Sequence, residues 1–402
     1  MKILIISQYF YPENFRVNTL CKELAARGHV VTVLTGYPQY PQGEIYAGYG
    51  FKIPYKKEWE GVNIERVKTY PRGKSFIGLL RNCISFVAQA NKWVQSCSEK
   101  YDAIYVFEVS PITVGLPAVK YKKKFGTPIF FNVQDLWPEN VQIVLGIQNR
   151  IIINIINKIA DTIYKSSDKI LCASNGFVNN LKRKGVEQKK LVYWPQFCED
   201  PYLTQHKSPS CYEKAFFNIV FAGNIGEAQG LEMLIDVAEK LSNENIRWYL
   251  VGDGRYKSKL VDLVKTRGLE QVVFFVGKVS ELEANSYVIY SDCAYLSLKN
   301  NALFDMTIPA KLQTYLACGT PVLAATGGEC AEIINKNGCG IAIKQSVEDV
   351  SGAVLDILNL TEKEKNKMKK NARNYYELHF KKDSLVSQLE KMMENENESF
   401  DY

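Results

Sequence analysis

Residues 1–34, MKILIISQYFYPENFRVNTLCKELAARGHVVTVL, decide the fold class. Lys2 to Ile6 is a short apolar run, Val17 to Ala26 has the apolar spacing of a helix, and Val30 to Leu34 is a second apolar run. Gly28 comes shortly after this helical stretch, where a glycine typically ends a helix. A strand, a helix and a strand in this order, with nearly continuous apolar strands, predict a parallel sheet that helices cover on both faces.

The same alternation continues along the chain and starts again after a break. From Trp194 to Phe217 the apolar periodicity lapses and three prolines occur in a polar stretch, as is typical of an interdomain linker. Further strands are predicted at 103–107, 128–133 and 169–173 before the break and at 218–222, 247–251, 272–276, 293–298 and 321–324 after it. We therefore expect an α/β protein with two doubly wound, Rossmann-like domains at 1–195 and 218–365, a linker at 196–217 and a helical segment at 366–402.

Composition narrows the class of partner. The formal net charge is +7 over 402 residues, with basic and acidic residues interspersed, which argues against a nucleic-acid binder and suits phosphate-bearing ligands and anionic lipids. The ten cysteines are scattered singly, which predicts reduced thiols in a cytoplasmic protein. We recognise no signal peptide and no apolar stretch of about 18 residues, so a cytoplasmic location is expected.

Glycine-bearing turns follow three of the predicted strands in the second domain. They occur in FAGNIG at 221–226, VGDG at 251–254 and VVFFVGK at 272–278. Because the carboxyl ends of parallel strands meet at one edge of the sheet, these turns are expected to lie together, where their backbone amides could bind an anion. A tight connection between strand and helix, without a ligand, explains each turn equally well.

With PAKL at 309–312 and ACGTPVL at 317–323, the ordered set resembles the retaining glycosyltransferases of family 4, also called group 1. RGHVVTVLTG at 27–36 and FNVQDLWPENV at 131–141 resemble the bacterial members that build capsules and O-antigens. The resemblance implies a GT-B fold, with two Rossmann-like domains facing each other across a cleft and a C-terminal helix that crosses back to the first domain. It also implies a nucleotide sugar, usually a UDP-sugar, on the second domain and an acceptor, often a lipid-linked saccharide, on the first.

The residues that the resemblance assigns to the donor include several departures from the family pattern. The family's arginine and lysine for the diphosphate correspond to Asn224 and Gln229, and its paired glutamates correspond to Met306 and Thr314. Lys311 is our candidate for the missing charge, with Lys299 and Arg255 as alternatives, and Asp305 for a polar role at the sugar. The full predicted donor set is Gly223, Asn224, Gly226, Gln229, Gly252, Gly254, Gly277, Lys278, Met306, Thr307, Pro309 and Thr314, and the predicted catalytic set is Asp135, Lys311 and Asp305.

On the acceptor side, Asp135 follows an apolar strand and is a candidate to orient or deprotonate the acceptor hydroxyl. A helix N-cap ahead of Pro138 is the alternative interpretation. Glu13, Arg16, Glu108 and Trp137 complete the predicted acceptor side. The resemblance implies front-face attack in which the donor phosphate takes the proton, so a protein base is not required. Neither a cofactor nor a metal is expected, because no Asp-x-Asp motif occurs and the three histidines are far apart in sequence.

Two amphipathic stretches raise the possibility of membrane contact. Phe76, Leu79, Leu80, Ile84 and Val87 form one apolar face, and Ile151, Ile152, Ile155, Ile156 and Ile159 form another, each near basic residues. Such faces are more often part of a core than of a membrane interface. Peripheral attachment to the inner face of the cell membrane, through anionic lipids, is the functional alternative.

Three functions fit the sequence. The first is transfer of a hexose or N-acetylhexosamine, with retention of configuration, to a lipid-linked saccharide during surface polysaccharide biosynthesis. The second is a membrane-associated assembly subunit that has lost donor chemistry, as the missing cations and glutamates would allow. The third is a sugar-nucleotide epimerase with the same fold. An NAD dehydrogenase is disfavoured because no glycine occurs between Ser7 and Asn14, after the first strand.

Overall fold

The computed structural model describes residues 1–51, 53, 56–73, 75–109, 111–144 and 146–398. The chain divides into two compact units. The first unit comprises Met1–Ala173, Phe177–Trp194 and the chain from Val386 onward, and the second comprises Ser174–Gly176 and Pro195–Leu385. Each unit is built on a sheet of its own, so the α/β fold with two Rossmann-like units is confirmed.

The sheet of the first unit has eight strands. They are β1 (Lys2–Ile6), β2 (Val30–Thr35), β3 (Glu58–Trp59), β4 (Val62–Arg66), β5 (Ala103–Glu108), β6 (Ile129–Val133), β7 (Lys169–Cys172) and β8 (Leu191–Tyr193). Their order is β3-β4-β2-β1-β5-β6-β7-β8, and each neighbouring pair is parallel except β3 with β4. The central strand β1 pairs Ile3 with Val31 on one side and with Ala103 on the other.

Helices connect these strands and cover the sheet. They are α1 (Arg16–Ala26), α2 (Phe76–Ser96), α3 (Leu116–Phe125), α4 (Glu139–Val144), α5 (Arg150–Ser166) and α6 (Asn175–Arg183). Side chains fix the starts of the two longest: the Ser75 hydroxyl accepts from the Gly78 amide, and the Asn149 side chain accepts from the amides of Ile151 and Ile152. Both caps satisfy amides that have no partner inside the helix.

The second unit has six strands and the remaining helices. The strands are β9 (Phe217–Ala222), β10 (Ile246–Val251), β11 (Val273–Gly277), β12 (Cys293–Ser297), β13 (Val322–Ala325) and β14 (Gly340–Ile343). The helices are α7 (Glu232–Lys240), α8 (Lys257–Thr266), α9 (Glu281–Tyr290), α10 (Ala302–Asp305), α11 (Ala310–Ala317), α12 (Gly328–Lys336), α13 (Val347–Leu358) and α14 (Glu362–His379). The last helix, α15 (Lys382–Glu398), begins in this unit and belongs to the first unit from Val386. The strand order is β11-β10-β9-β12-β13-β14, and all pairs are parallel.

Both faces of this second sheet are buried. Along β9, Ile219 and Phe221 belong to one hydrophobic cluster with Leu234, whereas Val220 belongs to another with Leu312. Successive side chains of a strand point to opposite faces, so a strand covered on both sides is apolar at nearly every position. This is why the strands could be recognised as continuous apolar runs.

The predicted linker, 196–217, differs from what the structure shows. Residues from Pro195 onward pack within the second unit, and Phe217 already begins β9. The Tyr249 hydroxyl donates to the carbonyl of Cys211 at 2.9 Å, and the amide of Cys198 donates to the carbonyl of Phe380 at 2.9 Å. Prolines interrupt regular structure here, but the backbone is still bonded into the unit.

The predicted C-terminal segment, 366–402, also has different bounds. Helix α14 stays in the second unit, where the Arg373 guanidinium donates to the carbonyl of Ala317 at 2.6 Å. The chain joins the first unit only from Val386, within α15. There Glu390 accepts from Arg27 at 2.7 Å and lies 2.8 Å from the His29 ring nitrogen, so an ion pair and a second polar contact fix the end of the chain to the first unit.

All ten cysteines are free, and only Cys97 and Cys211 are not buried. None of the helices in the described residues is long and apolar enough to cross a membrane.

Candidate functional site

The glycine turns of the second unit pack directly against each other. The amide of Gly223 donates to the carbonyl of Val251 at 2.9 Å. A Cβ atom on Gly252 would lie 2.0 Å from the carbonyl oxygen of Gly223, and one on Gly254 would lie 2.2 Å from that of Ile225. Glycine is therefore required at both positions for the two backbones to approach, whatever ligand the turns bind.

The turn after β9 does not lead directly into a helix. A short 3₁₀ turn at Glu227–Gln229 follows it, and α7 starts at Glu232. Gly230 adopts a left-handed conformation with φ of 57° between the two. Any anion site here is thus formed by the turn and its side chains rather than by the start of α7.

The side chain of Lys311, which belongs to α11, packs against this turn. Its Cε atom is 2.6 Å from the point where a Cβ atom of Gly223 would be, and its ammonium group lies 4.7 Å from the centre of the Phe221 ring. The ammonium donates a hydrogen bond to the side-chain oxygen of Gln229. Burial lowers the pKa of Lys311 to about 8, because a charged ammonium loses its hydration there.

The two alternative cations are placed less favourably. Lys299 forms an exposed ion pair with Glu227 at 2.9 Å, and the Arg255 side chain is exposed. Lys278, in the predicted donor set, is likewise exposed after Gly277. Lys311 is half-buried and is the least exposed member of this group, and it lies where the Asn224–Gln229 turn lacks the family's cations.

The block around α10 and α11 is fixed mainly by its own backbone. Asp305 packs against the start of α12, where a Cβ atom on Gly328 would lie 2.0 Å from the Asp305 carbonyl oxygen. The hydroxyl of Thr307 donates to the carbonyl of Leu303 at 2.8 Å, and that of Thr314 to the carbonyl of Ala310 at 3.3 Å. Each threonine oxygen can still accept a hydrogen bond from a ligand hydroxyl. Met306 follows α10 and Pro309 precedes α11.

In the first unit, Glu108 lies fully buried beneath the loop after β6. It accepts from the amides of Gln134 and Asp135, both at 3.2 Å, and from the Trp137 indole at 2.8 Å. Burial raises the pKa of the Glu108 carboxyl well above its usual value, and the Asp135 carboxylate raises it further. Glu108 was predicted on the acceptor side; its side chain has no exposed surface and holds the loop at Gln134, so its part in acceptor binding stays a prediction.

Glu13 has a similar place in the loop after β1. It accepts from the amides of Gln39 at 2.8 Å, Tyr40 at 2.7 Å and Phe10 at 3.1 Å, and its side chain is buried. Burial raises the pKa of Glu13, although the three amides act in the opposite direction. Glu13 thus joins two loops through its buried carboxylate, and its contact with the acceptor stays a prediction. Arg16 begins α1 and is half-buried.

Asp135 and Trp137 do reach a pocket. A cavity of about 670 Å³ lies at the carboxyl ends of β1, β5 and β6, between α2 and α5. The polar side chains that line it include Arg72, Thr113, Asp135 and Asn140. Its apolar lining is Tyr9, Phe15, Tyr40, Phe76, Leu79, Leu80, Cys83, Val109, Pro111, Ile112, Trp137, Val141, Ile147, Ile152, Ile155, Ile156 and Ile159. Since α4 begins four residues after Asp135, at Glu139, the alternative interpretation of Asp135 as its N-cap is not supported.

Two family models match the chain in succession. The model described as "Glycosyl transferase 4-like domain" matches residues 14–196, and the model described as "Glycosyl transferases group 1" matches residues 206–375. The chain belongs to glycosyltransferase family 4. As a family-4 glycosyltransferase it has a GT-B fold, and its two matched segments correspond to the two sheets described above.

Individual relatives of this family-4 glycosyltransferase agree with that assignment. WcaI of Escherichia coli strain K12, named as a glycosyl transferase of colanic acid biosynthesis, is 26% identical over 339 residues, which cover 79% of this chain and 82% of the relative. The sucrose-phosphate synthase of Thermosynechococcus elongatus has a TM-score of 0.74 at 16% identity and 98% coverage of both chains. HepE of Anabaena, crystallised with UDP, has a TM-score of 0.70 at 16% identity and covers 98% of this chain and 100% of its own.

The sequence did not predict the pocket of this family-4 glycosyltransferase. The apolar faces of α2 and α5 were recognised, but nothing in their periodicity indicates that they enclose a cavity. Arg72, Tyr9 and Tyr40 were missed as lining residues, although Tyr9 follows a predicted strand and could have been found from that position. No group of three or more His, Cys, Asp or Glu side chains within the described ranges could hold a metal ion.

Proposed function

We propose that this family-4 glycosyltransferase transfers a hexose or N-acetylhexosamine from a UDP-sugar to a lipid-linked saccharide, with retention of configuration, in surface polysaccharide biosynthesis of the capsule or O-antigen type. The observation that carries the proposal is the position of Lys311 on the glycine turn after β9. Structures of the fold neighbour HepE with UDP and with UDP-glucose support the choice of nucleotide. The relative WcaI, named for colanic acid biosynthesis, supports the choice of pathway class.

Lys311 supplies the charge that Asn224 and Gln229 cannot. Burial lowers the pKa of Lys311 because the ammonium loses its hydration. A negatively charged diphosphate beside the ammonium stabilises the charged form, so donor binding raises the pKa again. The protonated lysine then stabilises the negative charge that develops on the departing nucleotide diphosphate. Gln229 holds the ammonium at the turn, and the hydroxyl oxygen of Thr314 is available to a ribose hydroxyl.

The acceptor binds at the pocket of the first unit, where Asp135 accepts a hydrogen bond from the attacking hydroxyl. The bond between the anomeric carbon and the diphosphate oxygen breaks, and the acceptor oxygen bonds to the same face of that carbon. The hydroxyl proton passes to the departing phosphate oxygen. Asp135 therefore orients the acceptor, and Trp137, held by Glu108 at 2.8 Å, shapes the wall beside it.

The same proposal places the protein in the cytoplasm, on the inner face of the membrane, without a cofactor, metal or nucleic-acid partner. The first turns of α2 and α5 expose Phe76, Ile77, Leu80, Ile151 and Ile155, which are between 49% and 72% exposed. Aliphatic side chains so exposed beside basic residues are typical of peripheral binding to anionic lipids.

The test is release of the free nucleoside diphosphate from a panel of UDP-, GDP- and dTDP-sugars, with and without a lipid extract that supplies acceptors. We expect acceptor-dependent release from a UDP-sugar, and NMR of the product should show the anomeric configuration of the donor. Lys311→Ala should abolish most of this release, and Lys299→Ala, which removes an exposed paired lysine, should not. Release or isomerisation without acceptor would favour epimerase chemistry, and silence with every donor would favour the assembly subunit.

A further inference from the structure

The cavity between α2 and α5 has the chemistry of a site for a hydrocarbon chain. Its volume of about 670 Å³ is within the range of small-molecule pockets, and most of its lining is aliphatic or aromatic. Protein interiors are packed as densely as organic crystals, so a cavity of this size is not ordinary imperfect packing. Four isoleucines of α5 line it: Ile152, Ile155, Ile156 and Ile159.

Several lining residues also reach the surface and mark the opening. Phe76 is 53% exposed, Leu80 is 49% exposed and Ile155 is 53% exposed, although all three line the cavity. Outside the cavity the same two helices expose Ile77, Ile84 and Ile151. The apolar lining therefore continues onto an apolar surface, as needed for a chain that enters from a membrane rather than from water.

A cation is present in the otherwise apolar lining. Arg72 lines the cavity, and its guanidinium lies 5.7 Å from the centre of the Tyr40 ring. Among the described residues, Arg72 has no carboxylate partner within ion-pair distance. A guanidinium suits a phosphate, and a carboxylate such as Asp135 suits sugar hydroxyls.

We infer that this cavity binds the hydrocarbon chain of a lipid phosphate, with Arg72 at the phosphate. The inference rests on the proposed function, because it identifies the lipid part of the acceptor. A helix from a protein partner is disfavoured, because two turns of a helix about 10 Å across occupy more than the cavity volume of about 670 Å³.

The experiment uses the full chain and a series of butyl, octyl and dodecyl phosphates below their micellar concentrations, followed by titration calorimetry. Each methylene moved from water into an apolar site contributes about a fourfold increase in affinity. We therefore expect affinity to increase steeply from butyl to dodecyl phosphate, and inorganic phosphate to show no binding. Affinity that is independent of chain length overturns the inference.

Matched variants locate the site. Ile156→Trp fills the cavity from inside and should weaken dodecyl phosphate binding by about tenfold or more, whereas Asn154→Trp changes an exposed polar position of the same helix outside the cavity and should leave binding within about twofold. Arg72→Gln should weaken octyl phosphate but not octyl glucoside, which has a neutral head. Equal losses for the two tryptophan variants would place binding outside the cavity and refute the inference; circular dichroism checks that each variant is folded.

These measurements need no donor, so the inference and the proposed function can fail separately. If alkyl phosphates bind as expected while no nucleotide sugar is turned over, the cavity assignment stands and the transferase proposal does not. If transfer occurs with a KM for the acceptor that is independent of chain length and unchanged in Ile156→Trp, the transferase proposal stands and the cavity assignment is wrong.

Discussion

Lys311→Met keeps most of the stem that packs against Gly223 and Phe221 but removes the ammonium. In the unfolded chain this lysine has a pKa of 10.5, and burial lowers it to about 8 in the folded chain. Below pH 8 both states are protonated, and the folded state is destabilised by about 3 kcal/mol through the charged lysine. This penalty declines as the pH rises from 8 to 10.5. Allowing for the lost hydrogen bond to Gln229, we expect Lys311→Met to raise the free energy of unfolding at pH 7 by about 1–3 kcal/mol.

Donor binding should change in the opposite direction. A hydrogen bond to a charged group contributes about 1.5–3 kcal/mol, so the Kd for UDP should increase about 10- to 100-fold in Lys311→Met. In the wild-type protein the affinity for UDP should fall as the pH rises above 8, since the free lysine loses its proton there. This pH dependence should be absent from the variant.

Urea unfolding at pH 7 measures the first effect, and calorimetric titration of UDP from pH 6.5 to 9.5 measures the second. Lys299→Met, which removes an exposed lysine paired with Glu227, is the matched control and should change UDP affinity by less than about twofold. The reasoning is refuted if Lys311→Met binds UDP with the wild-type Kd. It is also refuted if Lys311→Met has a lower free energy of unfolding at pH 7 than the wild type while Lys299→Met has a higher Kd for UDP.

Substitutions of three other site residues, two of them with a control variant, test the two sites. Gly252→Ala should destabilise the chain by more than about 2 kcal/mol, because its Cβ would lie 2.0 Å from the Gly223 carbonyl oxygen, whereas Gly352→Ala in α13 meets nothing within 4 Å and should stabilise it by about 0.5–1 kcal/mol in urea unfolding. Glu108→Ala leaves the Asp135 amide and the Trp137 indole without this acceptor, whereas the Gln134 amide keeps its bond to the Glu108 carbonyl at 3.0 Å, and it should cost more than about 2 kcal/mol in the same assay. Glu108→Gln should cost less and remove a loss of stability as the pH rises above the usual carboxyl pKa. Asp135→Asn should lower kcat with saturating acceptor by about tenfold if this residue only orients the hydroxyl, whereas a loss of 10²- to 10⁴-fold would make it the general base.

The sequence predicted those strands that are buried on both faces. The runs at β1, β5, β6 and β9 are apolar at nearly every position, since helices cover both sides of the sheets. Strand β4, with the sequence VNIER, alternates buried and exposed residues and lies beside β3 at the edge of its sheet, so it lacks that signal. Strand β8 is only three residues long, and β14 begins with Gly340. Edge position and shortness therefore explain the missed strands.

Within the site, the sequence predicted the position of a side chain only where that position follows from the residues next to it in the chain. Lys311 was predicted because two cations were absent from the turn after β9 and a lysine occurs in the next block of the family pattern. Glu13 and Glu108 also follow strands, as ligand-binding carboxylates do, but both turn inward to accept three N–H groups. A sequence position after a strand does not indicate whether the side chain faces the ligand or the loop beneath it.

The pocket follows from a mismatch in length that the sequence does contain. Helix α2 has 21 residues and spans about 32 Å, whereas the six residues of β5 span about 20 Å. In a parallel sheet the amino end of each covering helix lies at the carboxyl edge of the strands, so the excess length extends past that edge. The second half of α2 accordingly buries Phe86, Ala90 and Val94 against the sheet, while its first turns have no sheet to cover and expose Ile77. An apolar face that continues unchanged along a helix longer than its strands thus predicts apolar surface at the edge where α/β proteins bind ligands.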